Sequence, residues 1–157
     1  MTKNISSKMV KKISDSLIDI LDNSSKENSF QTEKMIFKTK TLPIISLEKY
    51  IYRLVHYIKP EITSFCLSLV YIDRFFQITN YKPTKEIIYR LYLICLIVAI
   101  KFNEDSSLTN KAYSNIGGIS TIELNKLEKT FLKLLNFNLY VDESLFEEYI
   151  SVLKLFG

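Results

Sequence analysis

Residues 91–100 run Leu-Tyr-Leu-Ile-Cys-Leu-Ile-Val-Ala-Ile. Ten residues without a charge fall well short of the roughly 20 that a bilayer-spanning helix needs. No face of such a helix is polar, so it must be surrounded by other elements of the same protein. Thr84 stands where a cap belongs, and the helix is expected to run to about Phe102. The rest of the composition suits a bundle around it. The 157 residues include only 3 Gly and 3 Pro against 10 Phe and 10 Tyr, which favours long uninterrupted helices. With 47% hydrophobic and 24% charged residues the chain is globular, and 157 residues suffice for one well-buried core.

Outward from this helix the periodicity is helical throughout. Upstream, Ile62, Phe65, Cys66, Leu69 and Phe76 mark one amphipathic helix, with Pro60 expected in its first turn. Before it, Leu47, Tyr50, Ile51, Leu54, Val55 and Ile58 form a clean stripe. An N-terminal helix over Lys8–Asp22 shows Val10, Ile13, Leu17, Ile20 and Leu21, followed by a polar linker at 23–29 and an irregular stretch at 30–41. Downstream, a short helix at 108–116 ends on Gly117-Gly118. Ser120 and Glu123 have the spacing of a capping box for a helix over Thr121–Asn136, and a last amphipathic helix covers Leu145–Phe156. No β alternation persists. The fold class is all-α, with one buried central helix and amphipathic neighbours.

Charge and composition exclude several functions. The net charge is +4, but only Arg53, Arg74 and Arg90 among 21 basic residues are arginines, and acidic residues are interleaved. Nucleic-acid binders gather basic side chains on one stripe, so nucleic-acid binding is not expected. Cys66 and Cys95 lie in apolar runs as buried thiols of a reducing compartment. The N-terminus has neither an apolar leader nor a myristoylation signal, so the chain is expected to be soluble and intracellular, in nucleus or cytoplasm. The only histidine, His56, lacks catalytic companions; no metal cluster, nucleophile set or phosphate loop is present, so no catalytic residue, metal or cofactor is assigned.

Function shows best where a residue breaks its local pattern. Asp73 lies on the apolar stripe of its helix, and a buried carboxylate demands a cation. Arg53 is the first candidate for a structural ion pair and Arg74 the second. On that reading Asp73→Ala abolishes folding. Glu128 flanks the stripe of Leu124, Leu127, Phe131, Leu134 and Leu135. Lys101 follows the apolar run at a helix C-terminus, where the macrodipole favours a cation. Each has a bland reading, a solvated helix end and a rim carboxylate; the sharper one is a polar clamp for a partner's backbone.

The order of these features resembles the cyclin box, in its P/U-type branch. The likeness rests on Tyr71-Ile72-Asp73-Arg74-Phe75, on Ala99-Ile100-Lys101-Phe102 before Glu104-Asp105, and on Gly117-Gly118-Ile119-Ser120 ahead of Leu127-Glu128. Leu134-Leu135-Asn136-Phe137-Asn138-Leu139 closes it, and Pro43-Ile44-Ile45-Ser46 with Tyr50 and Arg53 opens it in the manner of that branch. The resemblance implies a five-helix cyclin box at 43–157, preceded by an N-terminal helix and irregular linker at 1–42 and ending in an additional C-terminal helix. It implies a regulatory subunit, not an enzyme, that pairs with a cyclin-dependent kinase and activates it. In the family, residues matching Lys101 and Glu128 bond to the backbone at the start of the kinase's C-helix, and residues matching Phe102, Leu132 and Phe137 pack on that helix.

The departures carry expectations of their own. The region near Ile44 to Lys49 lacks the arginine of the mitotic cyclins' M-R-A-I-L stretch, so substrate docking by that route is not expected. That arginine is also the family's usual partner for the aspartate matching Asp73, which is why Arg53 is nominated. Asn103 replaces the first of the two acids, and the chain ends at Gly157 without a second helical repeat, as in the P/U branch. The Lys-rich first turn of the N-terminal helix opposes its dipole, so this helix must dock, on the bundle or on the kinase. The alternative function is a cyclin-fold adaptor or transcription-factor-like module without kinase activation.

Overall fold

A computed structural model describes residues 4–22, 35–39 and 41–153. Its elements are α1 (Ser7–Asp22), a 3₁₀ turn (Met35–Phe37), α2 (Leu47–Ile58), α3 (Ile62–Thr79), α4 (Lys85–Asn103), α5 (Asn110–Gly117), α6 (Thr121–Leu134) and α7 (Glu143–Leu153). Among the described residues there is no strand, so the chain is all-α. The linker expected at 23–29 lies outside the described residues.

Every residue of α4 from Leu91 to Ile100 is buried. The expectation of one such helix needs correction, because α3 is its equal: Ser64 through Ile72 are buried without interruption. The polar letters at Ser64 and Ser68 disguised this. Ser68 Oγ donates to the Phe65 carbonyl at 2.6 Å and lies within hydrogen-bond distance of Tyr92 Oη at 3.2 Å, so its hydroxyl enters the core satisfied. The α3–α4 pair is the spine of the molecule; α2, α6 and α7 pack on it, and α1 packs chiefly on α2. The apolar residues of α1, from Met9 to Leu21, share that one core.

Several helix ends differ from expectation. Pro60 precedes α3 by two residues; the first turn is instead capped from outside, where Glu104 Oε2 accepts from the Glu61 amide at 3.1 Å and from Ser64 Oγ at 2.6 Å. Thr84 holds the N-cap position of α4, but its hydroxyl bonds to nothing. Helix α5 starts at Asn110 because Thr109 caps the Ala112 amide at 3.2 Å. Only half of the capping box forms: Ser120 accepts from the Glu123 amide at 3.1 Å, whereas the Glu123 carboxylate pairs with Arg90 on α4. Helix α6 stops at Leu134, since Asn136 and Phe137 adopt left-handed backbone at φ 54° and 55°. Helix α7 begins two residues early, its Leu145 amide capped by Asp142 Oδ1 at 2.8 Å.

The irregular segment supplies a core residue that no periodicity could show. Phe37 is fully buried and meets Phe75 edge-to-face at 5.4 Å; Phe75 in turn stacks on Phe131 at 5.9 Å. This aromatic column ties α3 to α6 and sets the height of α6 against the spine. Cys66 and Cys95 are free, fully buried thiols, and burial pushes that of Cys66 up to about 12 and that of Cys95 well above its ordinary value. No helix among the described residues is long and apolar enough to cross a membrane.

Gly117 allows α5 to touch α4, since a Cβ there would lie 2.5 Å from Leu93 Cδ2, and Leu93 is itself fully buried. Tyr50 Oη donates to the Gly117 carbonyl at 2.9 Å, pinning α2 to the same point. Gly117→Ala should therefore lower unfolding stability by about 1–3 kcal/mol, the usual range for overpacking, in urea titrations. An unchanged midpoint would show that the contact yields freely.

Candidate functional site

The last turn of α4 delivers Lys101 to the surface directly after the buried run. Its Nζ donates to Glu128 Oε2 at 2.8 Å and Oε1 at 3.1 Å, although the two residues stand on separate helices. It also donates to Asn110 Oδ1 at 2.7 Å, at the first residue of α5. Asn110 closes the array: its Nδ2 donates to Asn125 Oδ1 at 2.7 Å and to Glu128 Oε1 at 3.3 Å. The ion pair is partly screened from water, with 33% of the Lys101 side chain and 17% of that of Glu128 exposed. The two tips thus converge on one edge. In the free chain each is the other's partner.

The three apolar residues expected beside this pair differ in exposure. Phe102 follows Lys101 and is 51% exposed, while Phe137 is 65% exposed; Leu132, one helical turn beyond Glu128, is half-buried. The Leu132 carbonyl accepts from the Phe137 amide at 2.8 Å, which holds Phe137 in its left-handed backbone just past α6. The following residues are tied down from α3. Tyr71 Oη donates to the Leu139 carbonyl at 2.8 Å, and Arg74 Nη1 donates to those of Asn138 at 2.7 Å and Tyr140 at 3.2 Å. So the Tyr-x-x-Arg part of the 71–75 motif fixes the strap that carries Phe137. Neither role was legible, since backbone acceptors leave no mark in a sequence. Asn110 and Asn125 escaped notice for a similar reason: a lone Asn near a helix start reads as a cap.

The Asp73–Arg53 ion pair is not formed. Arg53 is exposed on the outer side of α2, beside Tyr57, Asn115 and Ile116, and the guanidinium of Arg74 is engaged on the strap. Asp73 is only half-buried, and its carboxylate accepts from the Tyr149 hydroxyl on α7. A neutral donor thus stands where a cation was expected. Burial raises the Asp73 carboxyl above its ordinary 3.8, and the Tyr149 bond offsets part of that rise. His56 is exposed, stacked on Tyr52 at 6.2 Å and edge-on to Tyr57 at 4.9 Å. Among the described residues no group of three His, Cys, Asp or Glu is placed to hold a metal.

Comparison with known proteins agrees with this architecture. A family model described as Cyclin matches residues 4–139. Cyclin-P3-1 of Oryza sativa subsp. japonica is 34% identical over 136 residues, covering 87% of this chain and 56% of that protein. Cyclin-U2-2 of Arabidopsis thaliana is 35% identical over 121 residues, covering 76% and 52%. Cyclin-U4-1 of Arabidopsis thaliana is 35% identical over 123 residues, covering 76% and 59%. The chain spans about half the length of the curated relatives it matches.

The Asp73 geometry reverses the expected effect of its loss. The unfolded carboxyl titrates at its ordinary 3.8 and the folded one above it, so the folded chain holds its proton more tightly. The charged form therefore costs stability, in full above the folded value and not at all below 3.8. Asp73→Asn, which keeps an acceptor for Tyr149, should melt at or above the wild-type temperature at pH 7. That gap should close as the pH falls to 3.8, as followed by circular dichroism. A variant that fails to fold would restore the ion-pair reading.

Proposed function

The chain belongs to the cyclin family, its matched relatives being P- and U-type plant cyclins, and on that premise we propose that it is a regulatory subunit that binds and activates a cyclin-dependent kinase. The observation that supports this reading most is the meeting of Lys101 and Glu128, from two separate helices, with the side chain of Phe102 exposed directly after Lys101.

The physical case begins with how little the pair is worth to the free chain. A partly exposed ion pair contributes about 0–1 kcal/mol, so exchanging it for a partner's backbone groups costs little. In the complex Lys101 donates to backbone carbonyls at the start of the kinase's C-helix, and Glu128 accepts from its amides. Charge-assisted bonds to a backbone give direction and register, whatever side chains that helix carries. Phe102, Leu132 and Phe137 supply the apolar area, and aromatic anchors beside a few polar bonds are the usual source of affinity. Asn110 keeps the two charged groups pre-positioned, which reduces the ordering lost on binding.

Activation follows from rigidity. A protein kinase is competent when the lysine of its third strand pairs with a glutamate of its C-helix, which requires that helix in its inward position. A bundle whose binding edge is set by a packed spine fits only one position of the helix. It shifts the kinase by the difference between its affinities for the two states.

Lys101→Ala and Glu128→Ala should fold as the wild type does, with melting temperatures within a few degrees. Both should weaken capture of a cyclin-dependent kinase at least tenfold and lower its activity toward a peptide substrate in parallel. Calorimetry with a panel of purified kinases, followed by phosphate-transfer assays, makes the comparison. Normal binding and activation by both variants would remove the clamp assignment.

A further inference from the structure

Between α1, α3 and α7 lies a cleft of about 330 Å³ that shares no residue with the Lys101–Glu128 edge. Its walls are the aliphatic side chains of Leu17 and Ile20 from α1 and Leu69 from α3. The polar groups reaching it include two carboxylates, Asp73 and Glu148, with Tyr149 beside them. Neither carboxylate has an ion pair among the described residues, and the arginine next in sequence, Arg74, is spent on the carbonyls of Asn138 and Tyr140. An apolar cleft with two carboxylates and, among the described residues, no cation lining it is complementary to a positive charge on an apolar stem.

We infer that this cleft is a binding site for a small organic cation, an ammonium on a short aliphatic chain, with its charge against Asp73 and Glu148 and its stem along Leu17, Ile20 and Leu69. The size favours a small molecule over a polypeptide segment: the volume lies at the lower end of the ~300–1,000 Å³ range of ligand sites. The Asp73–Tyr149 bond holds the carboxylate at the cleft while leaving it room to accept from an ammonium. Occupancy would join α1 and α7 through α3, and the inference stands or falls independently of kinase binding.

Titration of the full chain with n-butylammonium, observed through the methyl resonances of Leu17, Ile20 and Leu69, tests it. Saturable shifts are expected, with affinity at least tenfold weaker for neutral n-butanol and in Asp73→Asn, and several-fold weaker in Glu148→Gln. Shifts that never saturate, equal affinity for n-butanol, or unchanged affinity in Asp73→Asn would overturn the site. Should Asp73→Asn not fold, the butanol comparison and Glu148→Gln decide alone. A blocked Ala-Lys-Ala peptide that bound more tightly than n-butylammonium would identify a protein side chain as the occupant and also overturn the small-molecule assignment.

Discussion

Burial of α4 on every side is the constraint from which the rest of this molecule follows. A helix with no solvated face offers a polar side chain no lateral way out, so Lys101 stands where the apolar run ends, at the C-terminal turn. The same burial calls for helices on all flanks and explains why α3 must be nearly as apolar as α4. Each neighbour is then fastened by a different kind of contact: α2 and α5 through Tyr50 and the close approach at Gly117, α6 through stacked Phe75 and Phe131. The edge that carries Lys101 and Glu128 inherits its position from these contacts.

The polar bonds at that edge differ in kind from those of the interior. Inside, hydroxyls such as Ser68 and Tyr92 answer each other or a carbonyl, and breaking one would strand a buried group. At the edge, Lys101, Glu128 and Asn110 are close enough to water that each can exchange partners without being orphaned. A group that is satisfied when free, yet loses little on release, suits a surface that must be soluble alone and specific when joined. Glu104 shows the contrasting use of a carboxylate nearby: by accepting from Glu61 and Ser64 it fixes the start of α3 to the end of α4.

Much of this was legible in the sequence, and the failures have definite causes. Long stripes such as Leu47 to Ile58 and the run at 91–100 announce helices because burial repeats with the turn of the backbone. Lys101 and Glu128 were detectable because a charge beside an apolar pattern demands explanation. What escaped were contacts whose second member is unmarked. Phe37 enters the core from a three-residue turn too short to show a period. Tyr71 and Arg74 bond to peptide carbonyls, which every residue possesses. Asp73 misled for a subtler reason: a carboxylate on an apolar stripe implies a cation only if it is wholly buried. Half-burial let a phenol serve, and no spacing rule links residue 73 to Tyr149 on a helix so much later in the chain.

The two thiols carry a practical consequence. Only thiolates react readily with disulfides, oxidants and alkylating agents, and with the Cys66 group near 12 about one molecule in 10⁵ is ionised there at neutral pH. Burial in the middle of α4 likewise holds Cys95 protonated. Both therefore act as silent spectators, and a cysteine introduced on an outer face would be the sole handle that a maleimide dye could find, with neither native sulfur needing replacement.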